Sequence, residues 1–376
     1  MSNQSNPDTS KRVSRRRLLA GGALATASLP LLHQGVPHKG IHEAIAGAPA
    51  NAQGGGHHSA GAQGTTTAPT GGGDGGHLLH ADFRAGPEVD HAANGFNPTE
   101  MLRDFDYGTT RRLPGGQILR EWDIVASDKE IEVAPGVKYA AWTYNGRVPG
   151  PTLRCTEGER LRIRFTNASD HPHTMHFHGL HSAVMDGMPG VGEQQGGGQI
   201  LPGESFDYEF DADPFGMHLY HCHTSPLPIH IAKGLYGAFI VDPKAGRPPA
   251  DEMVMVMNAF DTNFDKGNEV YAVNTVGFHY QRNPIRVTRD ELVRIFLVNM
   301  VEYDPLNSFH VHANFFNYFP TGTSLQPVEF TDIVIQGQAQ RGILEMRFPS
   351  TGLFMFHAHV TEFAELGWTG FFEVVD

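Results

Sequence analysis

Two stretches of this chain share one pattern of apolar and polar positions. Pro151 to Asn167 (PTLRCTEGERLRIRFTN) opens on a proline, turns at Glu157-Gly158 and then alternates apolar with polar residues. Pro284 to Asn299 (PIRVTRDELVRIFLVN) does the same, with its turn at Arg289-Asp290. A period of two predicts half-buried β-strands. The likeness continues downstream. His176-Phe-His178 recurs as His310-Val-His312, His221-Cys-His223 as His357-Ala-His359, and Gly234-Leu-Tyr-Gly237 as Gly367-Trp-Thr-Gly370. All these offsets are about 134 residues, so one unit has been duplicated. Each unit is about 125 residues of short strands, the size of a small β-sandwich. The pattern therefore predicts an all-β chain with domains at 116–245 and 246–376, joined near Asp242 to Pro249.

The N-terminal part lacks this periodicity. Ser14-Arg15-Arg16-Arg17-Leu18-Leu19 leads into an apolar, small-residue stretch ending near Leu32, the pattern of a twin-arginine (Tat) export signal. Ala46-Gly47-Ala48 is a candidate cleavage site, so residues 1–48 read as a signal peptide. Residues 49–75 have the Gly/Ala/Thr-rich composition of a disordered linker. Within them, His57 and His58 read as solvated linker side chains. Residues 76–115 read as an irregular arm, with a short helix or docked turn expected between Asn97 and Tyr107. The expected location is periplasmic or extracellular. No other stretch is apolar enough to span a bilayer, and no cysteine adjoins the signal, so no membrane anchor is expected.

Composition narrows the picture. The 376 residues include 44 glycines and 25 prolines, and strongly periodic helical segments are scarce, which agrees with an all-β chain. A formal net charge of -13 without a basic, aromatic-interleaved patch argues against nucleic-acid binding. Only two cysteines occur, Cys155 and Cys222, so no disulfide framework supports the fold. Histidine is the conspicuous residue, with 22 copies in clusters.

His-x-His on a strand puts both imidazoles on one face, where neutral rings make a nitrogen site suited to copper or zinc. Four such pairs at matched repeat positions supply more imidazoles than one tetrahedral zinc needs. Cys222, between His221 and His223, faces away from both, so a metal on its thiolate lies on one side and metals on the flanking rings on the other. A blue-copper site takes two histidines, one cysteine and a weak axial group. His173 and His230 are the candidate nitrogens, with His230 in an exposed, proline-containing loop nearest the donor. Leu235 occupies the axial position; the alternative is a methionine, Met217 or Met188, reaching over.

His173-Thr-Met-His176-Phe-His178-Gly179 and Tyr220-His-Cys-His223 resemble signatures of the multicopper oxidases, which are built from cupredoxin Greek-key β-sandwiches. The resemblance covers residue 117 to the C-terminus. It implies a laccase-like enzyme with four coppers per chain. His173, Cys222 and His230 would bind type 1 copper, and His176 and His310 type 2 copper. His178, His221, His223, His312, His357 and His359 would bind the type 3 pair. Asp186, in Met185-Asp-Gly, resembles the family's proton-delivering acid; Glu362 is a second candidate. The second unit has Ala358 at the cysteine position and Asn307 at the place of His173, and no histidine follows His359. Its type 1 site is therefore expected to be lost. The chain resembles two-domain members whose three-copper cluster forms between neighbouring chains of a homotrimer. Phenols, aromatic amines or low-valent metal ions would be the donors and O2 the acceptor.

Two other functions compete. Copper nitrite reductases share this trimeric architecture, but that family carries Asp where this chain has His176 and a non-ligand at His223. A non-catalytic copper carrier would need only the type 1 ligands. His171, His181 and His218 read as packing or ligand-supporting residues and Cys155 as a small buried apolar one. His279 receives no role.

Overall fold

A computed structural model describes residues 86–187 and 198–376. The Tat-type segment, its cleavage site, the linker with His57 and His58, and Met188 lie outside the described residues.

The described chain is all-β, as the alternation predicts, with five short helices. The arm comes first: α1 (His91–Asn94), α2 (Pro98–Met101), β1 (Phe105–Asp106) and β2 (Thr109–Arg112). It is more ordered than its irregular pattern suggests. Asn97 caps α2 through its side chain, and Pro98 sits in the first helical turn, where its missing N–H costs nothing. Downstream, the first half is built from β3 (Ile118–Ala134), β4 (Val137–Tyr144), β5 (Thr152–Thr156), β6 (Arg160–Asn167), β7 (His176–Phe177), β8 (Ser205–Asp211), β9 (Gly216–His221), α3 (Leu227–Ala232) and β10 (Tyr236–Asp242). One sheet runs β2-β3-β6-β8, with β4 paired to β3; the other runs β1-β5-β10-β9-β7. On β6, Leu161, Ile163 and Phe165 are fully buried and the intervening arginines are not, so the alternation read from the sequence is the inside/outside alternation of the strand.

The second half repeats this plan with β11 (Asp251–Phe260), β12 (Val270–Val273), α4 (His279–Arg282), β13 (Ile285–Thr288), β14 (Val293–Asn299), β15 (Leu306–Val311), β16 (Phe316–Pro320), β17 (Glu329–Thr331), β18 (Ile333–Gly337), β19 (Arg341–Met346), β20 (Gly352–His357), α5 (Thr361–Glu365) and β21 (Thr369–Val375). Its sheets run β12-β11-β14-β19-β16-β17 and β13-β21-β20-β15-β18. The duplication extends to register: His176 on β7 lies opposite His221 on β9, and His310 on β15 opposite His357 on β20.

The halves share a core. Met217, Leu219, Tyr236 and Ile240 of the first pack with Val254, Phe260, Phe296 and Ile343 of the second, and Phe96 and Met101 of the arm complete the cluster. At its rim, Glu252 accepts from Arg154 Nη1 and from Arg294 Nη1, both at 2.6 Å. Arg154 also forks onto Asp242, and Arg294 donates Nε to Glu345 at 2.6 Å. Burial works against the Glu252 charge, but the two guanidiniums hold its carboxyl below the usual range. Such a carboxylate stabilises the fold at neutral pH, and the contribution is lost as pH falls through its folded value. Glu252→Gln is therefore expected to cost about 2 kcal/mol at pH 7, since it removes the carboxylate shared by Arg154 and buried Arg294 and leaves each with one acidic partner, Asp242 and Glu345. Denaturant melts at pH 7 and pH 4 check this: the gap between variant and parent narrows in acid.

Candidate metal centre

The first ligand cluster forms where β9 ends. Past His221 the chain stays extended for one more step, and the Cys222 N–H donates to the Leu235 carbonyl. Leu235 follows Gly234 (φ 113), where an added Cβ would lie 2.5 Å from Val148 and 2.9 Å from the Trp142 carbonyl. Only glycine passes there, and the tight turn sets Leu235 beside Cys222. Cys222 Sγ lies 3.3 Å from His230 Nδ1 and 3.9 Å from His173 Nδ1, and the two ring nitrogens are 3.1 Å apart. All three side chains are buried. His173 is oriented by Ser169, whose Oγ meets its Nε2 at 3.0 Å. The Thr174 N–H donates to Sγ at 3.4 Å. Burial, with His230 beside it, pushes His173 down to about 3, and burial with His171 nearby pushes His230 to about 4, so both rings are neutral. Burial also pushes the Cys222 thiol up.

His230 corrects one expectation. It sits on helix α3, not in an exposed loop, and is itself buried. Pro226 caps α3 and Pro228 lies in its first turn, so the prolines start a helix instead of breaking one. The Trp142 ring covers the site, 5.1 Å from His173, 4.8 Å from His230 and 4.7 Å from His171. Trp142 and exposed His171 lie beside the ligand rings, and exposed Ile229 precedes His230 on α3.

On the opposite side of Cys222 stand four imidazoles. His176 lies 4.8 Å from His178, 5.3 Å from His221 and 5.2 Å from His223, ring centre to ring centre. His178 Nε2 and His221 Nε2 approach to 2.9 Å. The second half reproduces this quartet: His310 lies 5.1 Å from His312, 5.3 Å from His357 and 5.4 Å from His359, and His312 Nε2 meets His357 Nε2 at 2.9 Å. Oxygen acceptors select the ring tautomers. His221 and His357 turn Nδ1 to the carbonyls of Cys222 and Ala358, both at 2.7 Å. His310 turns Nδ1 to the Asp332 carbonyl, and His176 turns Nδ1 to Asp186 at 2.7 Å. Nδ1 is thereby engaged on each ring, leaving Nε2 to face the neighbouring imidazoles, the arrangement typical of metal-ligating histidine. Burial pushes His221 down to about 4, and burial with His221 alongside pushes His178 to about 2. Among the described residues, no hydrogen bond or ring contact joins the two quartets within one chain.

Asp186 is buried and also faces His181, whose Nδ1 lies 3.5 Å away. His181 Nε2 accepts the Phe177 N–H, and His218 spans the carbonyls of His178 and Pro214, so both brace the quartet's backbone. Glu362 stands exposed on α5. Met217 packs in the core between the halves, whereas Leu235 packs with Cys222. Cys155 is buried in the first-half core.

Three supporting residues escaped the sequence. Thr174 Oγ1 accepts the His223 N–H at 3.0 Å, and Ser308 Oγ accepts the His359 N–H at 2.8 Å. The hydroxyl at equivalent repeat positions was the available signal. Trp142 had none, because it reaches the site from a strand of the other sheet. In the second half, the Ala358 N–H donates to the Trp368 carbonyl as Cys222 does to Leu235. Buried Trp368 thus stands at the Leu235 position, with Ala358 and Asn307 in place of Cys222 and His173.

Family models described as multicopper oxidase match residues 126–246 and 247–376. The chain belongs to the multicopper oxidase family. A crystal structure of a multicopper oxidase aligns with 77% of this chain and 100% of its own at 63% identity and a TM-score of 0.74. A copper-containing nitrite reductase of Neisseria meningitidis is 35% identical over 37% of this chain and 35% of its own length. Laccase-2 of Botryotinia fuckeliana is 34% identical over 34% of this chain and 22% of its own. The chain thus spans about a third or less of the length of these two curated relatives. As a multicopper oxidase with cupredoxin-like sandwiches, the protein is a copper oxidoreductase. Its ligand sets suit that metal: buried neutral imidazoles with a thiol, and closely packed imidazoles in two groups of four. No helix among the described residues is long and apolar enough to cross a membrane.

Proposed function

We propose that this multicopper oxidase takes single electrons from a phenol, an aromatic amine or a low-valent metal ion and reduces O2 to water. The observation carrying the reading is the pair of matched histidine quartets. They supply eight imidazoles, where a single type 2 copper needs three. His173, Cys222 and His230 would hold type 1 copper, His176 and His310 type 2 copper, and His178, His221, His223, His312, His357 and His359 the type 3 pair, four coppers per chain. Copper bound there supplies one-electron redox chemistry and the four-electron reduction of O2.

The chain's own residues divide the rest of the work. Leu235 packs beside Cys222 and its side chain offers no donor atom, so copper held by His173, Cys222 and His230 would gain no further ligand from it, which would favour a high potential. Trp142 keeps water from the His173 and His230 rings and gives a donor an aromatic surface to approach. Cys222 adjoins His221 and His223 in the backbone, a short covalent path from one side of the strand to the other. The two quartets do not meet within a chain, which supports completion by a neighbouring copy, closing as a homotrimer. The Tat-type segment supports export to the periplasm or beyond.

Asp186 holds the His176 ring and can carry a proton at its carboxyl. Asp186→Asn keeps an acceptor for His176 but removes the proton carrier. Its O2 consumption is expected to fall roughly 100-fold with copper content unchanged, and its pH profile to change shape. An oxygen electrode read across pH checks this.

The nitrite reductase relative favours a second reading, NO formation from nitrite. Against it stand His176 and His223, where resemblance to that family predicts non-histidines. Metal analysis, absorption and gas uptake separate the two. Four coppers per chain, a blue band with a near-ultraviolet shoulder and O2 uptake support the oxidase. Two coppers, NO production and no O2 uptake overturn it.

A further inference from the structure

Away from the copper ligands, the arm meets the second half at another cluster of ligand-type side chains. Glu88, His91 and His279 each offer one donor atom, and these atoms lie within 4.8 Å of one another. His91 opens α1 and His279 opens α4; their rings meet edge to face at 5.0 Å. Glu88 Oε1 stands 3.9 Å from His91 Nε2 and accepts from Asn283 Nδ2 at 2.9 Å. Together they line a narrow recess between arm and body, with room for an ion and little more.

The polar atoms here are unusually placed. Both ring nitrogens of His91 are buried without a hydrogen-bond partner. A neutral imidazole carries one donor and one acceptor, and folded proteins rarely leave both dry, so this ring points to an occupant. His279 is anchored through Nε2, 2.7 Å from Thr99 Oγ1, which leaves Nδ1 as its available nitrogen. Metal-ligating histidines are held in this way, one nitrogen for the ion and the other for a polar neighbour. Burial, and then His91 beside it, push His279 down to about 3, so the ring is neutral and competent to ligate. Glu88 supplies the negative charge that imidazole ligands lack.

We infer that Glu88, His91 and His279 bind one divalent transition-metal ion of the Zn2+ or Cu2+ kind, clamping the arm to the second half. Two nitrogens and one carboxylate oxygen suit these borderline ions better than Mg2+ or Ca2+, and water completes four-coordination. Arg282 lines the same recess and donates to the Pro87 carbonyl at 3.4 Å. The clamp grips a segment that inserts Phe96, Met101 and Leu102 into the cores, so metal binding is coupled to arm docking.

The test uses the copper-loaded full-length protein with Zn2+ as a spectroscopically silent probe. Metal analysis after gel filtration, isothermal titration and the melting temperature are compared for the parent, His91→Ala and Glu88→Gln. The parent is expected to retain one zinc per chain more than either variant, with copper content and O2 uptake equal in all three. Zinc raises the parent's Tm and leaves the variants' unmoved. Thr99→Val, which removes only the anchor of His279, weakens zinc binding about tenfold. Equal zinc uptake by parent and both variants, or no uptake by the parent, overturns the site. Neither result depends on which reaction the copper centres perform.

Discussion

Cys222→Ser abolishes the intense visible absorption and donor oxidation together, while most of the copper stays bound. The reason lies in which face each side chain occupies. Sγ converges with His173 Nδ1 and His230 Nδ1 on one side of the strand. A serine hydroxyl is a hard donor that replaces neither the soft thiolate nor its absorption. On the other side, the His221 ring is oriented by the main-chain carbonyl of residue 222, which serine retains. The Thr174 hydroxyl that fixes His223 is untouched as well. Metal analysis and absorption spectra of purified variant and parent read the result. The variant should lose one copper of four, with the blue band gone and the near-ultraviolet shoulder kept. Persistent blue colour would refute the assignment of Cys222, and wholesale copper loss would refute the independence of the two faces.

The second large effect is rescue between two dead proteins. A variant lacking the first quartet (His176→Ala with His178→Ala) and one lacking the second (His312→Ala with His357→Ala) should each be inactive. Co-expressed in equal amounts, they should recover activity if each site takes one quartet from each of two chains. In a closed ring with random neighbours, an intact first quartet faces an intact second quartet at about one half times one half, a quarter, of the sites. Sites confined to single chains would give none. The readout is O2 uptake by the co-purified mixture against each variant alone. Mixing after purification gives recovery only as fast as rings exchange subunits, which serves as the control. The quartets are identical in kind, and no contact among the described residues joins them within a chain, so this experiment reports on assembly without disturbing His173, Cys222 or His230.

Much of the site was legible because a β-strand writes its faces into sequence with period two. His176-x-His178 and His221-Cys-His223 need only that rule to place rings on one side and a thiol on the other, and the duplication made the pattern unmistakable. Leu235 was read only through the resemblance to cupredoxins that carry a methionine there. What failed were contacts made across sheets and through helix starts. Trp142 lies on β4, and nothing in its neighbours predicts that it covers His230. Pro226 and Pro228 read as marks of an exposed loop, yet a proline in the first turn suits a helix as well as a loop, and tertiary packing decided. The arm looked irregular because β1 finds its hydrogen-bond partners on β5, a distant segment with no local signal. The His91–His279 contact was illegible for the same reason: the rings are brought together by docking, not by spacing.

Trp368 has a further consequence. The second unit has no counterpart of Cys222, His173, His230 or Leu235, with Ala358, Asn307 and Trp368 at matched positions and no histidine after His359, yet its quartet keeps the geometry of the first. On the proposed function, an electron port can thus be deleted by point substitution without damage to the oxygen-handling side, since the two lie on opposite faces of one strand. For an engineer the reverse path is harder. Writing a cysteine back at Ala358 restores a thiol but not its surroundings, because Asn307 stands at the His173 position and the large, buried Trp368 at the Leu235 position. A second port would have to be excavated before it could be wired.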